Sequence, residues 1–171
     1  MEIVPVDLNA FLYKFEVNMV EIATLLLSAT CDIDEADLLN DIDLFTMAAS
    51  DRKIAISEFL WDSMDNNWKD FNLTAKASCT SVIALSSWIP MWAGLTPKGC
   101  EDKVVASLNQ SGLIQVAGIA TTNVTTGQQW DSPNSWAPLI LLMIQGLMST
   151  DGKEALVLAV ICSTLNHYTN A

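Results

Sequence analysis

The sequence predicts an all-α fold built from pairs of helices, and three observations lead to this prediction. Apolar residues recur at three- and four-residue steps in the long segments of the 171-residue chain. No two segments show convincing features of paired strands. Long polar loops that carry aromatic residues join the predicted helices. Such loops favour a toroid or a solenoid over a compact four-helix bundle, although no repeat is visible in the sequence.

The first predicted helix covers about residues 8–28. Pro5 lies just outside it, and Asp7 or Asn9 is predicted to cap its start. Its apolar residues fall on one helical face, as expected for an amphipathic helix. These residues are Leu8, Phe11, Leu12, Phe15, Met19, Ile22, Ala23 and Leu26.

The second predicted helix begins at Asp34 or Asp37 and reaches about Trp61, again because apolar residues recur at helical spacing. The polar stretch 62–72 then reads as a connecting turn. A third helix is predicted over 78–87, ending near Ile89 because the following proline lacks a backbone donor.

The second half of the chain repeats the alternation of helix and loop. A helix is predicted over 101–110, with Gly112 as its C-cap. Residues 113–126 are predicted to be extended. Two further helices follow, over 136–148 and 153–165, and the turn between them makes them antiparallel.

Composition limits the classes of partner and cofactor. The net charge of −12 argues against nucleic acid or an anionic membrane surface as a partner, since both need clustered basic residues. The longest apolar run, about 137–147, is too short to span a bilayer. No N-terminal signal pattern follows Met1, which leaves the compartment open.

No metal or cofactor is predicted. The four cysteines are scattered without a C-x-x-C pair, and His167 is the single histidine. A zinc site is therefore disfavoured, no disulfide framework is implied, and buried free thiols are expected. The cysteines are Cys31, Cys79, Cys100 and Cys162.

The stretch 128–138 concentrates chemistry suited to a sugar. Trp130 and Trp136 provide indole faces that can pack against the C–H face of a pyranose, beside amides and the carboxylate of Asp131 that can address hydroxyls. Pro133 and Pro138 restrict the backbone, which predicts an ordered loop leading into a helix. The alternative is that both tryptophans are core anchors.

The order of residues in 129–138 resembles the second signature of the trehalases, glycoside hydrolase family 37, which reads Gln-Trp-Asp-x-Pro-Asn-x-Trp-Ala-Pro. Three other segments resemble family motifs in the same order: 5–12, 89–92 and 111–121. The resemblance covers nearly the whole chain and is greatest to the plant branch. It implies an (α/α)6 toroid, of which residues 1–171 form an incomplete part of a single catalytic domain, the later portion of the barrel.

The resemblance also implies a reaction, the hydrolysis of α,α-trehalose to two glucose molecules with inversion. Inversion needs one carboxylic acid and one carboxylate base on opposite faces of the sugar. The family's acid and base belong to segments outside this chain, so no catalytic residue is assigned. The chain is expected to be inactive alone; the alternatives are a catalytically dead sugar-binding or regulatory module and a non-functional truncation.

The expected substrate-binding residues lie in the signature. By the resemblance, Trp130 stacks on or walls a glucose unit, Gln129 and Asn134 hydrogen-bond its hydroxyls or orient the loop, and Asp131 fixes the loop. Structural roles are expected for five further residues: Pro133, Trp136, Pro138, Asp7 and Asn9. Trp136 is favoured to pack at the helix start.

Two further expectations concern the surface. Part of a toroid leaves apolar helix faces uncovered, so a partner chain or self-association is expected. Three N-x-[ST] sequons, at Asn72, Asn109 and Asn123, permit glycosylation if the protein is secreted.

Overall fold

The computed structural model describes residues 2–29, 34–115 and 118–150, with Gly152, Ala155 and Leu158. Helices dominate, and pairs of two-residue strands lie in the connections between them. The helices are α1 (Val6–Ser28), α2 (Glu35–Ala55) continued by a π-helical turn (Ile56–Leu60), a 3-10 turn (Leu85–Trp88), α3 (Ile89–Trp92), α4 (Glu101–Gln110) and α5 (Ala137–Met148). The strands are β1 (Ile3–Val4), β2 (Trp61–Asp62), β3 (Asn67–Trp68), β4 (Phe71–Asn72), β5 (Ala77–Ser78), β6 (Ile114–Gln115) and β7 (Gly118–Ile119).

Four helices confirm the sequence-based predictions closely. The first begins two residues early, at Val6, and α2 with its π-helical turn ends one residue before Trp61. Asp34 caps α2 by accepting from the Ala36 backbone N–H at 2.9 Å. The predicted bounds of α4 are correct, and Gly112 follows it with a φ of 76°, the left-handed conformation that ends many helices.

The predicted caps of α1 are wrong. Pro5 occupies the N-cap position, and Asp7 lies in the first turn, where a negative charge suits the helix dipole. The Asn9 side chain donates back to the Pro5 carbonyl at 2.8 Å. The first backbone N–H of the helix, that of Val6, donates to Asp70 Oδ1 at 2.8 Å. A residue distant in sequence therefore satisfies the helix start.

Residues 62–72, which were predicted as a connecting turn, contribute to strands β2, β3 and β4. β2 and β3 make an antiparallel hairpin in which Trp61 lies opposite Trp68, with ring centroids 4.8 Å apart. A second, three-stranded sheet has the order β1-β4-β5. The expectation that the chain lacks strand pairs was wrong because two-residue strands are too short to show alternation.

The helix predicted over 78–87 does not form. Within it, Ala84 pairs with Thr122, 38 residues along the chain by their numbers, so long-range backbone pairing overrides the local periodicity. Pro90 lies in the first turn of α3 and does not end a helix there. The first-turn N–H groups of a helix lack intrahelical partners, so a proline costs little at this position.

A partly buried ion pair joins α1 to α2. Arg52 donates from Nε and Nη2 to the Glu16 carboxylate, with an Nη2–Oε1 distance of 2.7 Å. Arg52 Nη1 also donates to Asn9 Oδ1 at 3.1 Å. These bonds satisfy a carboxylate that the helix packing has removed from water.

The two long connections of the described chain, 61–88 and 111–136, pair with each other through a bridge between Ala84 and Thr122. Asn66 in the β2–β3 turn accepts from Ser107 Oγ in the last turns of α4 at 3.0 Å. Trp88, which immediately precedes α3, donates to the same Ser107 hydroxyl at 2.9 Å. Connection 61–88 therefore contacts both α4 and connection 111–136, which contains most of the stretch predicted to bind sugar.

The backbones of α3 and α5 approach closely at Gly146. A Cβ atom added to Gly146 would lie 2.9 Å from the Trp92 backbone nitrogen. The same helices are joined by a hydrogen bond from Trp92 Nε1 to Gln145 Oε1 at 3.0 Å. Glycine is required here by space, since the opposing group is backbone and cannot rotate away.

Several predictions fall on residues that the structure does not describe. Most of the helix predicted over 153–165 lies outside the described residues, as do Cys31, Cys162 and His167. Cys79 and Cys100 are free thiols and are half-buried, less covered than predicted. No helix within the described ranges is long and apolar enough to cross a membrane.

We predict that Gly146→Ala destabilises the protein by about 1–2 kcal/mol. The added methyl overpacks the α3–α5 contact at about 1–3 kcal/mol, which exceeds the gain in helix propensity of about 1 kcal/mol. Urea unfolding measures the change. The control, Leu141→Ala, removes an exposed side chain from α5 and is expected to change the free energy of unfolding by about 0.5 kcal/mol or less. A Gly146→Ala variant as stable as the wild type would contradict the close approach.

Candidate functional site

The stretch 128–136, here called the signature loop, is held against a neighbouring extended segment. Thr121 N–H donates to the Asn134 carbonyl at 2.9 Å, and Ser132 N–H donates to the Val124 carbonyl at 2.9 Å. On its other side, the Thr121 carbonyl accepts from Leu85 N–H at 2.9 Å. The loop is therefore layered on two backbone segments and occupies a defined position before α5.

Asp131 organises one end of the signature loop. Its Oδ2 accepts from the backbone N–H groups of Thr126, of Gly127 at 2.7 Å and of Gln128 at 3.1 Å. The Thr126 hydroxyl donates to Oδ1. Gly127 has a φ of 91°, a conformation that glycine adopts without a steric penalty and that turns its N–H towards the carboxylate.

These hydrogen bonds lower the pKa of the Asp131 carboxyl below its ordinary value of 3.8. The backbone N–H of Thr126 has the largest effect, and burial opposes it. The carboxyl is therefore ionised at neutral pH. A general acid needs the opposite, a raised pKa and a free proton, so Asp131 does not suit that role.

Asn134 and Gln129 are joined within the loop. The Asn134 side-chain amide donates to the Gln129 carbonyl at 2.9 Å, and the Asn134 backbone N–H donates to the Asp131 carbonyl at 2.8 Å. Both residues are exposed, and the Ser132–Pro133 peptide bond is cis. Asn134 thus orients the loop, and the exposed Gln129 side chain stands at its surface.

Trp130 and Trp136 form an exposed aromatic pair. Their ring centroids lie 6.0 Å apart with an angle of 39° between the ring planes. The two residues are 39% and 41% exposed, so the alternative that both are core anchors is wrong. Trp136 lies at the N-cap position of α5, where its ring packs against Trp130 and not within the core.

Thr121 adds a polar group that the sequence analysis missed. Thr121 is buried, and its hydroxyl has no hydrogen-bond partner among the described residues. It lies beneath the signature loop, because its backbone N–H donates to Asn134. Four of the six residues in 121–126 are threonines, and nothing in the sequence singles out Thr121 among them.

A cleft of about 790 Å³ also escaped the sequence analysis. It lies between the β2–β3 hairpin, segment 79–88 and α4, and its lining combines amides, hydroxyls and both signs of charge with apolar side chains such as Val82 and Ile83. Near it, Lys69 Nζ contacts Asp62 Oδ2 at 2.6 Å, and this hydrogen bond lowers the pKa of the Asp62 carboxyl. Burial raises the pKa of the Asp70 carboxyl at the cleft wall.

We predict that Asp131→Asn loosens the signature loop at neutral pH. The backbone N–H groups of Thr126, Gly127 and Gln128 lose an ionised acceptor, so their hydrogen exchange is expected to accelerate about tenfold, the factor for one net hydrogen bond. The exposed substitution Asp51→Asn is the matched control and should leave these amides unchanged. Equal protection in wild type and Asp131→Asn would contradict the assigned role.

The lowered pKa also sets the direction of a pH effect. A carboxylate stabilised in the folded state contributes fully above its ordinary pKa of 3.8, and this contribution is lost as the pH falls through the lower folded-state pKa. The protection of the Thr126, Gly127 and Gln128 amides against hydrogen exchange, corrected for the intrinsic exchange rate, should therefore fall as the pH drops below 3.8. The pH dependence should be absent in Asp131→Asn.

Comparison with known proteins gives consistent matches. The family model described as Trehalase matches residues 1–168. A probable trehalase of Oryza sativa subsp. japonica is 35% identical over 176 residues, which cover 92% of this chain and 30% of the relative. Neutral trehalase Nth1 from Saccharomyces cerevisiae has a structure similar to this chain, with a TM-score of 0.67 and 29% identity over 86% of this chain and 28% of that protein.

The chain therefore spans about three-tenths of the length of both relatives. Its helices and long connections correspond to part of the helical toroid of these enzymes, as the resemblance of the sequence implied. The family match extends over almost all of the sequence, well beyond the signature loop. The chain belongs to the trehalase family of glycosidases.

Proposed function

We propose that this chain provides a sugar-binding wall of an α,α-trehalase. The observation that carries the proposal is the exposed pair of Trp130 and Trp136 on a loop held by backbone hydrogen bonds. Indoles at this separation and tilt form a shallow apolar surface, and the C–H face of a pyranose packs on such surfaces. The relatives are named as trehalases, which supports trehalose or a glucose-type sugar as the ligand.

In this proposal each loop residue has a separate role. Trp130 stacks on the sugar, the exposed Gln129 amide addresses its hydroxyls, and Asn134 keeps the loop in shape through its bond to the Gln129 carbonyl. Asp131 supports the loop from below. Pro133, Trp136 and Pro138 set the path of the backbone into α5.

The hydrolytic step is proposed for a complete family domain. An inverting glycosidase uses two carboxyl groups roughly 6.5–9.5 Å apart, one of them a proton donor. Asp131 is the carboxylate of the signature loop, and its oxygens are already occupied by backbone and hydroxyl donors. We therefore propose that this chain alone binds sugar without hydrolysing trehalose.

A second candidate is a catalytically inactive sugar-binding or regulatory module. The hydrogen bonds that present Trp130 and Gln129 lie within the chain itself. This observation favours an inactive sugar-binding module over a non-functional truncation. Both candidates use the same sugar-binding surface. They differ in whether the bound sugar is the substrate of a trehalase or the ligand of a module without activity.

We predict measurable binding of trehalose by the purified chain and a loss of about two- to tenfold in affinity for Trp130→Ala, because an aromatic contact contributes about 0.5–1.5 kcal/mol. Isothermal titration calorimetry measures both. Phe59→Ala removes an exposed ring elsewhere on the surface and should leave binding unchanged. Equal affinities for wild type and Trp130→Ala would remove the proposed stacking role, and absence of binding would reject this chain as a sugar-binding unit.

We predict that the same preparation releases no glucose from trehalose above a mock purification. The physical reason is the lack of a free proton donor on the signature loop. A coupled glucose assay over several hours measures this. Glucose release that follows the purified chain through successive columns would show that the chain supplies its own acid and base. Binding without turnover would favour the sugar-binding module.

A further inference from the structure

The cleft between the β2–β3 hairpin, segment 79–88 and α4, here called the hairpin cleft, is large enough for a small organic ligand. Its volume of about 790 Å³ lies within the range of about 300–1,000 Å³ that is typical of ligand sites. Among the described residues, no member of the signature loop lines it. The hairpin cleft is therefore a separate candidate site with its own chemistry.

The walls of the hairpin cleft are fixed by hydrogen bonds within the chain. Ser107 Oγ of α4 donates to the Asn66 carbonyl at 3.0 Å and accepts from Trp88 Nε1 at 2.9 Å, which joins the helix to the hairpin and to segment 79–88. Lys69 Nζ contacts the Asp65 carboxylate across the hairpin turn. Because these groups are already held in place, a ligand that binds between them pays little for ordering them.

Asn67 provides the observation that points to an occupant of the cleft. Its side-chain Oδ1 is buried and has no hydrogen-bond donor among the described residues. A buried amide oxygen without a donor is costly, so such atoms are few in folded proteins. Asn67 also lines the hairpin cleft. A molecule in the cleft that brings an O–H or N–H group would supply the missing donor.

The charges in the lining of the hairpin cleft balance. Two lysines and two aspartates line it, which gives a formal net charge of zero. A phosphate-bearing ligand is bound by an excess of basic groups. A divalent cation is bound by clustered carboxylates, imidazoles or thiolates, and the described part of the chain contains no cluster of three or more such groups. The lining therefore favours a neutral ligand.

The rest of the lining combines hydroxyl groups with apolar side chains. Segment 79–88 contributes Val82 and Ile83 together with four hydroxyls. A hydroxyl both donates and accepts, so it can pair with a ligand hydroxyl in either direction. A sugar or another polyol presents hydroxyls and C–H groups on a neutral framework and so matches both parts of this lining. The four hydroxyls belong to Thr80, Ser81, Ser86 and Ser87.

We propose that the hairpin cleft is a second binding site, which takes a neutral polyol of the size of a mono- or disaccharide. Asn67 Oδ1 accepts a hydrogen bond from one ligand hydroxyl, and the hydroxyls of segment 79–88 bind others. The site does not depend on sugar binding by the signature loop, since the two share no described residue.

Protection of a native thiol tests whether the cleft is occupied. Cys79 lines the hairpin cleft, whereas Cys100 is a half-buried free thiol outside the lining. Increasing concentrations of D-glucose or myo-inositol are expected to slow the alkylation of Cys79 by iodoacetamide severalfold and to leave Cys100 unchanged. Peptide mass spectrometry measures both rates in one sample. Glucose 6-phosphate should protect Cys79 less than glucose, because the lining offers no excess of positive charge.

The substitution Asn67→Leu locates the contact. Leucine has a similar shape and removes the unpaired acceptor, so the melting temperature should be unchanged or higher. The affinity for glucose, read from Cys79 protection, should fall about two- to tenfold, the range for one net hydrogen bond. Asn40→Leu makes the same change at an exposed position of α2 and should alter neither quantity. A purely structural role of Asn67 predicts the reverse, a lower melting temperature with unchanged affinity.

A second variant applies if Asn67→Leu does not fold. Lys103→Met removes a donor of the cleft lining at an exposed position of α4, so folding should be retained. The protection of Cys79 by glucose is again expected to weaken.

Three results would overturn the proposal. Alkylation of Cys79 at the same rate with and without both polyols would show that the cleft binds neither of them. Stronger protection by glucose 6-phosphate than by glucose would identify an anion site. Trp130→Ala separates the two surfaces, since loss of Cys79 protection in this variant would place the sugar at the signature loop. Conversely, failure of the signature loop to bind trehalose leaves the expected Cys79 protection unchanged.

Discussion

The arrangement of this molecule depends on backbone pairing between its two long connections. Leu85 donates to Thr121 and Asn123 donates to Ile83, which brings together segments that lie before α3 and before α5. This pairing also supports the signature loop through the bond from the Thr121 N–H to the Asn134 carbonyl. Buried backbone groups need partners, so the pairing also satisfies donors and acceptors that would otherwise be costly.

Two different kinds of surface result from this arrangement. The signature loop exposes aromatic rings beside amides just before α5, a combination suited to a polar ligand with apolar faces. Helix α1 exposes large apolar side chains, among them Leu8, Phe15 and Ile22, each about half exposed. Trp92 links α1 to α5, since its ring contacts Phe11 and its indole N–H donates to Gln145.

The long helices could be predicted because their signals are local. The bounds of α4 and α5 follow from apolar periodicity, and Gly112 marks a helix end by its own conformational preference. The sequence could not reveal that segment 79–84 is extended, because its own periodicity is helical and the strand-like pairing belongs to Thr122. Nor could it reveal that Asp70 satisfies the start of α1 from 64 residues away.

For the candidate site, the order of residues in 129–138 was enough to indicate the family and the loop that presents two tryptophans. Only the tertiary structure decided that Trp130 and Trp136 are exposed and adjacent, that Asp131 is engaged by three backbone N–H groups, and that the apolar face of α1 is left uncovered. The physical reason is the range of the forces involved. Periodicity and turn chemistry act within a few residues, whereas burial depends on which distant segments of the chain cover a side chain.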